Sequence, residues 1–290
     1  MTEFLKNILW ATDFSDEAQE AFLYADFFAK AFGARLVAVH VVPDFSPALY
    51  DTSAVIKGEL SKTIDSVKNR AEDELEAIGK AKGVTFDKVI VKEGSAAKRI
   101  IETSHEEKAD LIVIGRRGLS AMKELFIGSV ANHVLRSSSV PVLVTKKKSG
   151  KPRIKKILVP TDFSKQEEIE QDYALNLAKG FGASITLLYV LELFGHDPRF
   201  VDELFKDVLA RLKRKSRKEK ETIEVEEEVY KAINASTGIV DYAETYRFDL
   251  IVMSTYVHKL ERFLLGSTTE KVISQTNLPV FAIPPACHAD

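Results

Sequence analysis

The sequence has a single cysteine, a single tryptophan and no long run of apolar residues. One cysteine, Cys287, excludes a disulfide framework within the chain and gives no support to a cysteine-rich metal cluster. Without roughly 18 consecutive apolar residues there is no candidate transmembrane helix, and the first residues lack the pattern of a signal peptide. We therefore expect a cytoplasmic protein that has no membrane partner.

An excess of charge of one sign is also missing, since 41 basic residues face 43 acidic ones. This balance gives no general electrostatic reason to bind nucleic acid. Hydrophobic residues make up 45% of the chain and charged residues 29%, which excludes a mainly disordered or fibrous protein. The length of 290 residues suggests two domains, at roughly 100–200 residues each.

The chain carries the same pattern twice. Residues 8–15, ILWATDFS, recur at 157–164 as ILVPTDFS, and residues 109–113, ADLIV, recur at 248–252 as FDLIV. These repeated segments keep their order, while the offset between the copies falls from 149 to 139 residues. We therefore expect a duplicated domain. A stretch rich in lysine, 145–156, separates the copies, and we predict domains at 1–147 and 153–285.

Each copy alternates short apolar strands with helical segments. In the first copy we predict strands at 7–11, 36–42, 85–91, 111–114 and 140–145, and helices at 16–32, 61–82, 96–108 and 129–137. Continuous apolar strands between helices favour a parallel sheet that is covered on both faces. The predicted fold is therefore α/β, with two tandem, doubly wound, five-stranded parallel sheets.

Candidate binding residues follow the first and fourth predicted strands. Asp13 comes after the first strand, and Gly115-Arg116-Arg117-Gly118 comes after the fourth; nine residues later Gly128-Ser129 opens a helix. We expect Gly115 and Gly118 to adopt positive φ, so that backbone N–H groups form an anion-binding nest. The helix start at Gly128 favours phosphate. The spacing therefore suits a polyphosphate, with Asp13 accepting a hydrogen bond from the other end of the ligand.

This combination resembles the ATP-binding subclass of the universal stress protein family, over nearly the whole chain and as two tandem copies. The resemblance implies a Rossmann-like sheet of order 3-2-1-4-5, similar to adenine nucleotide alpha hydrolases, that binds ATP, or AMP or ADP, with or without Mg²⁺. Family members pair through strand five, which implies a pseudo-dimer within this chain and leaves a homodimer open. Carried over to this sequence, the residues around the nucleotide are Ala11, Thr12, Asp13, Val41, Ile114, Gly115, Arg116, Arg117, Gly118, Gly128, Ser129 and Val130.

Within that set, the resemblance places Ala11, Asp13 and Val41 at adenine and ribose. It places at the phosphates Gly115, Arg116, Gly118, Gly128, Ser129 and Val130. Arg116 and Arg117 are both candidates to contact phosphate, and we expect at least one of the two to be solvated.

The second copy departs from the pattern in its phosphate loop. Ser254 replaces Gly115, Val257 falls near Gly118, and Tyr256 adds bulk. Because a β-branched residue resists positive φ, we predict that copy one binds nucleotide and copy two is mainly structural or regulatory. A different ligand, held through Gly266 and Ser267, is the alternative for copy two.

Three functions stay open from the sequence. The favoured one is a stress-response binding module or slow switch, without catalytic residues or protein metal ligands. A slow ATPase or phosphotransferase would use Asp13 and bound Mg²⁺ at the same site, although the sequence has no Walker A motif. A purely structural interaction protein is the third.

Overall fold

The computed structural model describes residues 4–43, 54–119, 126–146, 151–164, 167–193, 198–215, 223–255 and 265–285. Strands are β1 Asn7–Thr12, β2 Arg35–Val42, β3 Lys88–Glu93, β4 Leu111–Gly115, β5 Val142–Thr145, β6 Lys156–Pro160, β7 Ser184–Glu192, β8 Val225–Ala232, β9 Leu250–Ser254 and β10 Val280–Ile283. Helices are α1 Asp16–Phe32, α2 Ala54–Lys82, α3 Ala96–Glu106, α4 Ser129–Ser137, α5 Glu167–Phe181, α6 Pro198–Lys215, α7 Ala235–Thr245 and α8 Ser267–Gln275. Within these ranges no helix is both long enough and apolar enough to cross a membrane.

The strands form one sheet in the order β3-β2-β1-β4-β5-β10-β9-β6-β7-β8. Each half has the predicted order 3-2-1-4-5, with parallel neighbours throughout. The halves meet where β5 and β10 pair antiparallel, with Leu143 opposite Phe281. The two predicted sheets are therefore halves of a single ten-stranded sheet, because the fifth strands join edge to edge.

The local sequence explains why α1 begins and ends where it does. The Ser15 hydroxyl accepts a 3.2 Å hydrogen bond from the Ala18 amide, and Asp16 and Glu17 complement the positive end of the helix. Gly33 ends the helix in the left-handed region, with φ of 68°. The first helix thus starts directly behind the turn that carries Asp13.

The third strand begins later than predicted. We expected a strand at 85–91, whereas β3 starts at Lys88. Phe86 instead stacks on Trp10, with ring centroids 5.7 Å apart, and Asp87 accepts a 2.8 Å hydrogen bond from the Leu36 amide. These tertiary contacts hold Phe86 and Asp87 outside the strand, which apolar periodicity alone does not reveal.

Aromatic rings fill the junction between the halves. Phe181 of α5 stands edge-on to Phe28 and Phe32 of α1, with centroids 4.9 and 5.2 Å apart. Phe281 of β10 lies beneath Phe28, at 6.5 Å. A Cβ on Gly180 would lie 2.3 Å from the Phe32 ring, so glycine permits this contact. Each face of the sheet consequently has a core that runs through both halves.

Candidate functional site

A cavity of about 470 Å³ opens at the carboxyl ends of β1, β2 and β4, and we call it cavity one. It lies where the chain leaves β1 towards one face of the sheet and β4 towards the other, the usual ligand position in doubly wound sheets. Its size falls in the range of about 300–1,000 Å³ that small-molecule sites occupy.

All twelve residues predicted to surround a nucleotide line cavity one. They are Ala11, Thr12, Asp13, Val41, Ile114, Gly115, Arg116, Arg117, Gly118, Gly128, Ser129 and Val130. The structure adds seven residues that the sequence motifs did not identify: Ala18, Val39, Ala96, Ile100, Phe126, Ile127 and Ala131. Ala96 and Ile100 are one turn apart at the start of α3, and helical spacing was the signal that could have found them.

Asp13 joins the turn after β1 to the loop after β4. One carboxylate oxygen accepts a 3.1 Å hydrogen bond from the Ser15 amide, and the other accepts a 2.9 Å bond from the Leu119 amide. Between them Phe14 has φ of 65°, and its amide donates to the Thr12 hydroxyl at 2.9 Å. A carboxylate has about four lone-pair positions, so these bonds leave Asp13 capacity to accept from a ligand hydroxyl.

Gly115 and Gly118 are needed because neighbouring protein atoms lie close to their Cα atoms, and not because their φ angles are positive. We expected positive φ at Gly115 and Gly118, but the glycines with positive φ among the described residues are Gly33, Gly83, Gly94 and Gly182, so that expectation was wrong. A Cβ on Gly115 would lie 2.8 Å from the backbone carbon of Glu17, and one on Gly118 would lie 2.2 Å from a carboxylate oxygen of Asp13. The loop therefore packs against the backbone of α1 at Gly115 without room for a side chain, whereas a side chain at Gly118 would displace the Asp13 carboxylate.

Arg117 is held by Glu17 from α1. Its Nη2 and Nε lie 2.6 and 2.8 Å from Oε1 of Glu17, and Oε2 accepts a 2.8 Å bond from the Arg117 amide. The Glu17 side chain is 8% exposed and the Arg117 side chain 19%. These three hydrogen bonds fix the loop, and the guanidinium neutralises the carboxylate beside the cavity.

The side chain of Arg116 does not lie where we expected, at the phosphate end of the cavity. The residue is 1% exposed, and Nη1 donates hydrogen bonds to the carbonyl oxygens of Ser274 at 2.6 Å and Ile273 at 3.4 Å, in the last turn of α8. The guanidinium thus reaches the second domain and is not directed at a phosphate. The expectation that one of the two arginines is left in solvent was also wrong, because Glu17 holds the other.

The N-terminus of α4 forms the polar end of cavity one. Gly128 occupies the N-cap position, no side chain caps the helix, and the Gly128 amide donates to the Arg116 carbonyl at 2.9 Å. In α1, by contrast, the Ser15 hydroxyl takes up one of these amides. A helix start without a capping side chain presents N–H donors and a positive dipole end to an anion.

A matching cavity of about 510 Å³, cavity two, lies in the second half. Its turn after β6 repeats the first: the Asp162 carboxylate accepts from the Ser164 amide at 2.8 Å, and Phe163 has φ of 60°. Gly266 caps α8 and donates to the Thr255 carbonyl at 3.1 Å. Ser254 stands where cavity one has Gly115, whereas the predicted obstruction by Tyr256 and Val257 lies outside the described residues.

Comparison with known proteins agrees with the repeat. The model of the Universal stress protein family matches twice, at residues 5–146 and 153–284. A universal stress protein of Thermus aquaticus is 38% identical over 144 residues, which cover 49% of this chain and 98% of the relative. Universal stress protein MJ0577 of Methanocaldococcus jannaschii is 27% identical over 162 residues, covering 52% and 100%.

Among solved structures, a universal stress protein from Archaeoglobus fulgidus matches along both halves. It is 25% identical, covers 96% of each chain and has a TM-score of 0.65. The two matches to one family model and the agreement of fold support the same family assignment. The chain belongs to the universal stress protein family and contains two of its domains in tandem.

Proposed function

We propose that cavity one binds an adenine nucleotide, ATP in particular, and that the chain acts as a stress-response binding module or switch. The main support for this proposal is that the two ends of the cavity differ in polarity. One end is apolar and the other is the α4 start with its uncapped amides. A nucleotide has the same division, between a flat base and charged phosphates.

The apolar end suits an adenine ring. Val39, Val41, Ile100 and Ile114 line it, and Ala96 leaves space between β2 and α3. Asp13 lies between the two ends, where it can accept from a ribose hydroxyl. At the other end, a Cβ on Gly128 would lie 3.2 Å from the Arg116 carbonyl, so glycine lets the start of α4 pack closely against the loop after β4. These residues fit an adenine nucleotide, with or without Mg²⁺ on its phosphates.

Asp13 favours binding over catalysis. A slow ATPase or phosphotransferase would need its carboxylate as a base or a magnesium ligand. Each carboxylate oxygen accepts one backbone amide, which holds the side chain in one orientation across the turn and the loop; its remaining lone pairs suit a hydrogen bond from a ligand hydroxyl. We therefore assign cavity one a binding role, and steady-state turnover of ATP near one per second or faster would contradict this assignment.

We assign the nucleotide to residues 1–147 and a structural or regulatory role to residues 153–285. A cytoplasmic location, a homodimer beyond the pairing of the two halves and the lack of a nucleic-acid partner stay predictions of the sequence.

Calorimetric titration of the full chain with ATP, ADP and AMP tests the proposal. We expect one nucleotide bound per chain. Mass analysis of the small molecules released when the purified protein is denatured should identify an adenine nucleotide. Replacing Ala96 with tryptophan fills the apolar end of cavity one and should remove the binding. Ala235→Trp, at the same position in the second half, is the matched control and should leave it intact. Two equally tight ATP sites per chain, or none, would contradict the proposal.

A further inference from the structure

The backbone of Arg116 holds the polar end of cavity one together. Its amide donates to the Thr145 carbonyl at the end of β5 at 2.7 Å, and its carbonyl accepts a 2.9 Å bond from the Gly128 amide. Gly128 is the N-cap of α4, and the Asn132 amide closes the first turn of that helix on the Gly128 carbonyl at 2.9 Å. The position of the Arg116 peptide therefore sets the position of the α4 start.

The side chain of Arg116 is anchored in the other half of the chain. The carbonyls in the last turn of a helix have no amide of the same helix to bind. Beyond the end of α8, the amides at 277 and 278 donate to side-chain oxygens and do not continue the helix. Nη1 of Arg116 takes their place, 2.6 Å from the Ser274 carbonyl oxygen and 3.4 Å from that of Ile273.

Burial keeps this anchor in place. Arg116 is 1% exposed, and a buried guanidinium that loses its partners is strongly unfavourable, so the side chain stays on α8. The carbonyls at a helix C-terminus carry partial negative charge, which strengthens the bond. Because a fixed side chain restrains the peptide that bears it, the contact with α8 also holds the Gly128 amide and the start of α4.

The second half has the same backbone arrangement with a different side chain. Thr255, at the position of Arg116, donates from its amide to the Ile283 carbonyl at 2.8 Å and accepts from the Gly266 amide at 3.1 Å. The Thr255 hydroxyl also lies 3.4 Å from the Ile283 carbonyl, within its own half. Arg116 crosses the junction instead, so the polar end of cavity one leans on the second half through a bond that Thr255 does not return.

We propose that Arg116 is a positioning residue for the nucleotide, and that its bond to α8 makes the affinity of cavity one for phosphate depend on the second half of the chain. This rests on the proposed function of cavity one and deepens it, because the guanidinium acts on phosphate through the α4 start. The apolar end of the cavity is formed by strands and a helix of the first half, so its affinity for a base does not depend on the anchor.

Calorimetry on the full chain separates the two ends of the cavity, with ATP and adenosine as probes. Arg116→Thr gives the first half the residue of the second. We expect ATP affinity to fall at least about tenfold, while adenosine affinity stays within about twofold of wild type. A general loss of stability would not distinguish the two ligands. Arg116→Lys keeps a buried cation and should lie between wild type and Arg116→Thr; it carries the test if circular dichroism shows that Arg116→Thr is unfolded.

Lys146→Met is the matched control. Lys146 is another cation of the first half that bonds the second, with Nζ 2.6 Å from Oδ1 of Asn277, but this contact is exposed and Lys146 is not part of the cavity lining. We expect its ATP affinity to stay within about twofold of wild type.

Amide hydrogen exchange in the ligand-free protein tests the position of the α4 start directly. In Arg116→Thr, exchange at the Gly128 and Asn132 amides should be at least about fivefold faster, because the Arg116 carbonyl holds the first and, through Gly128, the second. Exchange in α3 should stay as in wild type, which separates a local effect from a loss of global stability.

The proposal is overturned if a folded Arg116 variant keeps wild-type ATP affinity, if adenosine affinity falls as far as ATP affinity, or if Lys146→Met has the same effect. Wild-type protein that binds no ATP, together with the expected exchange at Gly128 and Asn132, would mean that the proposed function of cavity one fails and the positioning of α4 by Arg116 stands. Wild-type protein that binds ATP, with no response to either Arg116 variant, would mean the reverse.

Discussion

The guanidinium of Arg116 donates a 2.6 Å hydrogen bond to the carbonyl oxygen of Ser274. Arg116 belongs to the loop of cavity one, and Ser274 lies in the last turn of α8, whose first residue lines cavity two. A buried positive charge at a helix C-terminus is favourable, because the exposed carbonyls carry partial negative charge there. This contact links the loop of cavity one to the helix that begins at cavity two.

Arg116→Met should lower the free energy of unfolding by about 2–3 kcal/mol, because the α8 carbonyls lose a charged donor in a buried setting. Urea denaturation followed by circular dichroism measures the change. Arg153→Met is the control, since Arg153 is exposed, and it should stay within about 0.5 kcal/mol of wild type. Equal effects of the two variants would show that the contact with α8 contributes nothing.

Gly118→Val should abolish ATP binding without unfolding the protein. Any Cβ at this position would lie 2.2 Å from a carboxylate oxygen of Asp13, so the loop or Asp13 must move. Titration calorimetry measures the loss, and thermal melting checks the fold. In an Asp13→Ala background the same change should have a smaller effect, because the clashing group is gone. Unchanged ATP affinity in Gly118→Val would remove this loop from the site.

Glu17→Gln should lower the free energy of unfolding by about 1–3 kcal/mol, because the buried end of the pair with Arg117 loses its charge. Asp26→Asn is the comparison, since Asp26 pairs with Lys30 one turn away, where Lys30 is 66% exposed. Such a surface pair contributes about 0–1 kcal/mol. Chemical denaturation of both variants at one salt concentration measures how much each ion pair contributes to the free energy of unfolding. A larger decrease in Asp26→Asn than in Glu17→Gln would contradict this prediction.

Stability should decline at alkaline pH through Tyr24. Burial, followed by the charges of Glu20 and Asp249, raises the pKa of Tyr24 to about 12 in the folded chain. The phenol ionises near pH 10 when unfolded, so its contribution is complete below that pH and is lost between about pH 10 and 12. Between pH 9 and 11, wild type should lose about 1 kcal/mol more than Tyr24→Phe in urea unfolding. Tyr246→Phe, at a residue 49% exposed, should behave as wild type.

The repeat and the alternation of apolar strands with helices predicted two parallel α/β domains, because apolar runs and turn residues can be recognised along the chain. The family resemblance predicted the strand order of each half and the pairing of the fifth strands. The start of β3 was mistaken, since Phe86 is held by Trp10, a residue far away in sequence. The seven further residues of cavity one were missed for a similar reason: most are small or apolar, and they have no chemical signature until the fold brings them together.

By itself the sequence determined that one α/β domain occurs twice, and that Asp13, Gly115, Gly118 and Gly128 gather at one sheet edge. Only the tertiary structure decided what those residues do there. Gly115 and Gly118 are glycine because another backbone and a carboxylate leave no room for Cβ, and not because φ is positive. Arg116 points away from the cavity because the other half of the chain offers it the carbonyls of α8. The need for glycine at these positions and the direction of the Arg116 side chain both depend on distances between segments that are far apart in sequence. Sequence patterns do not contain those distances.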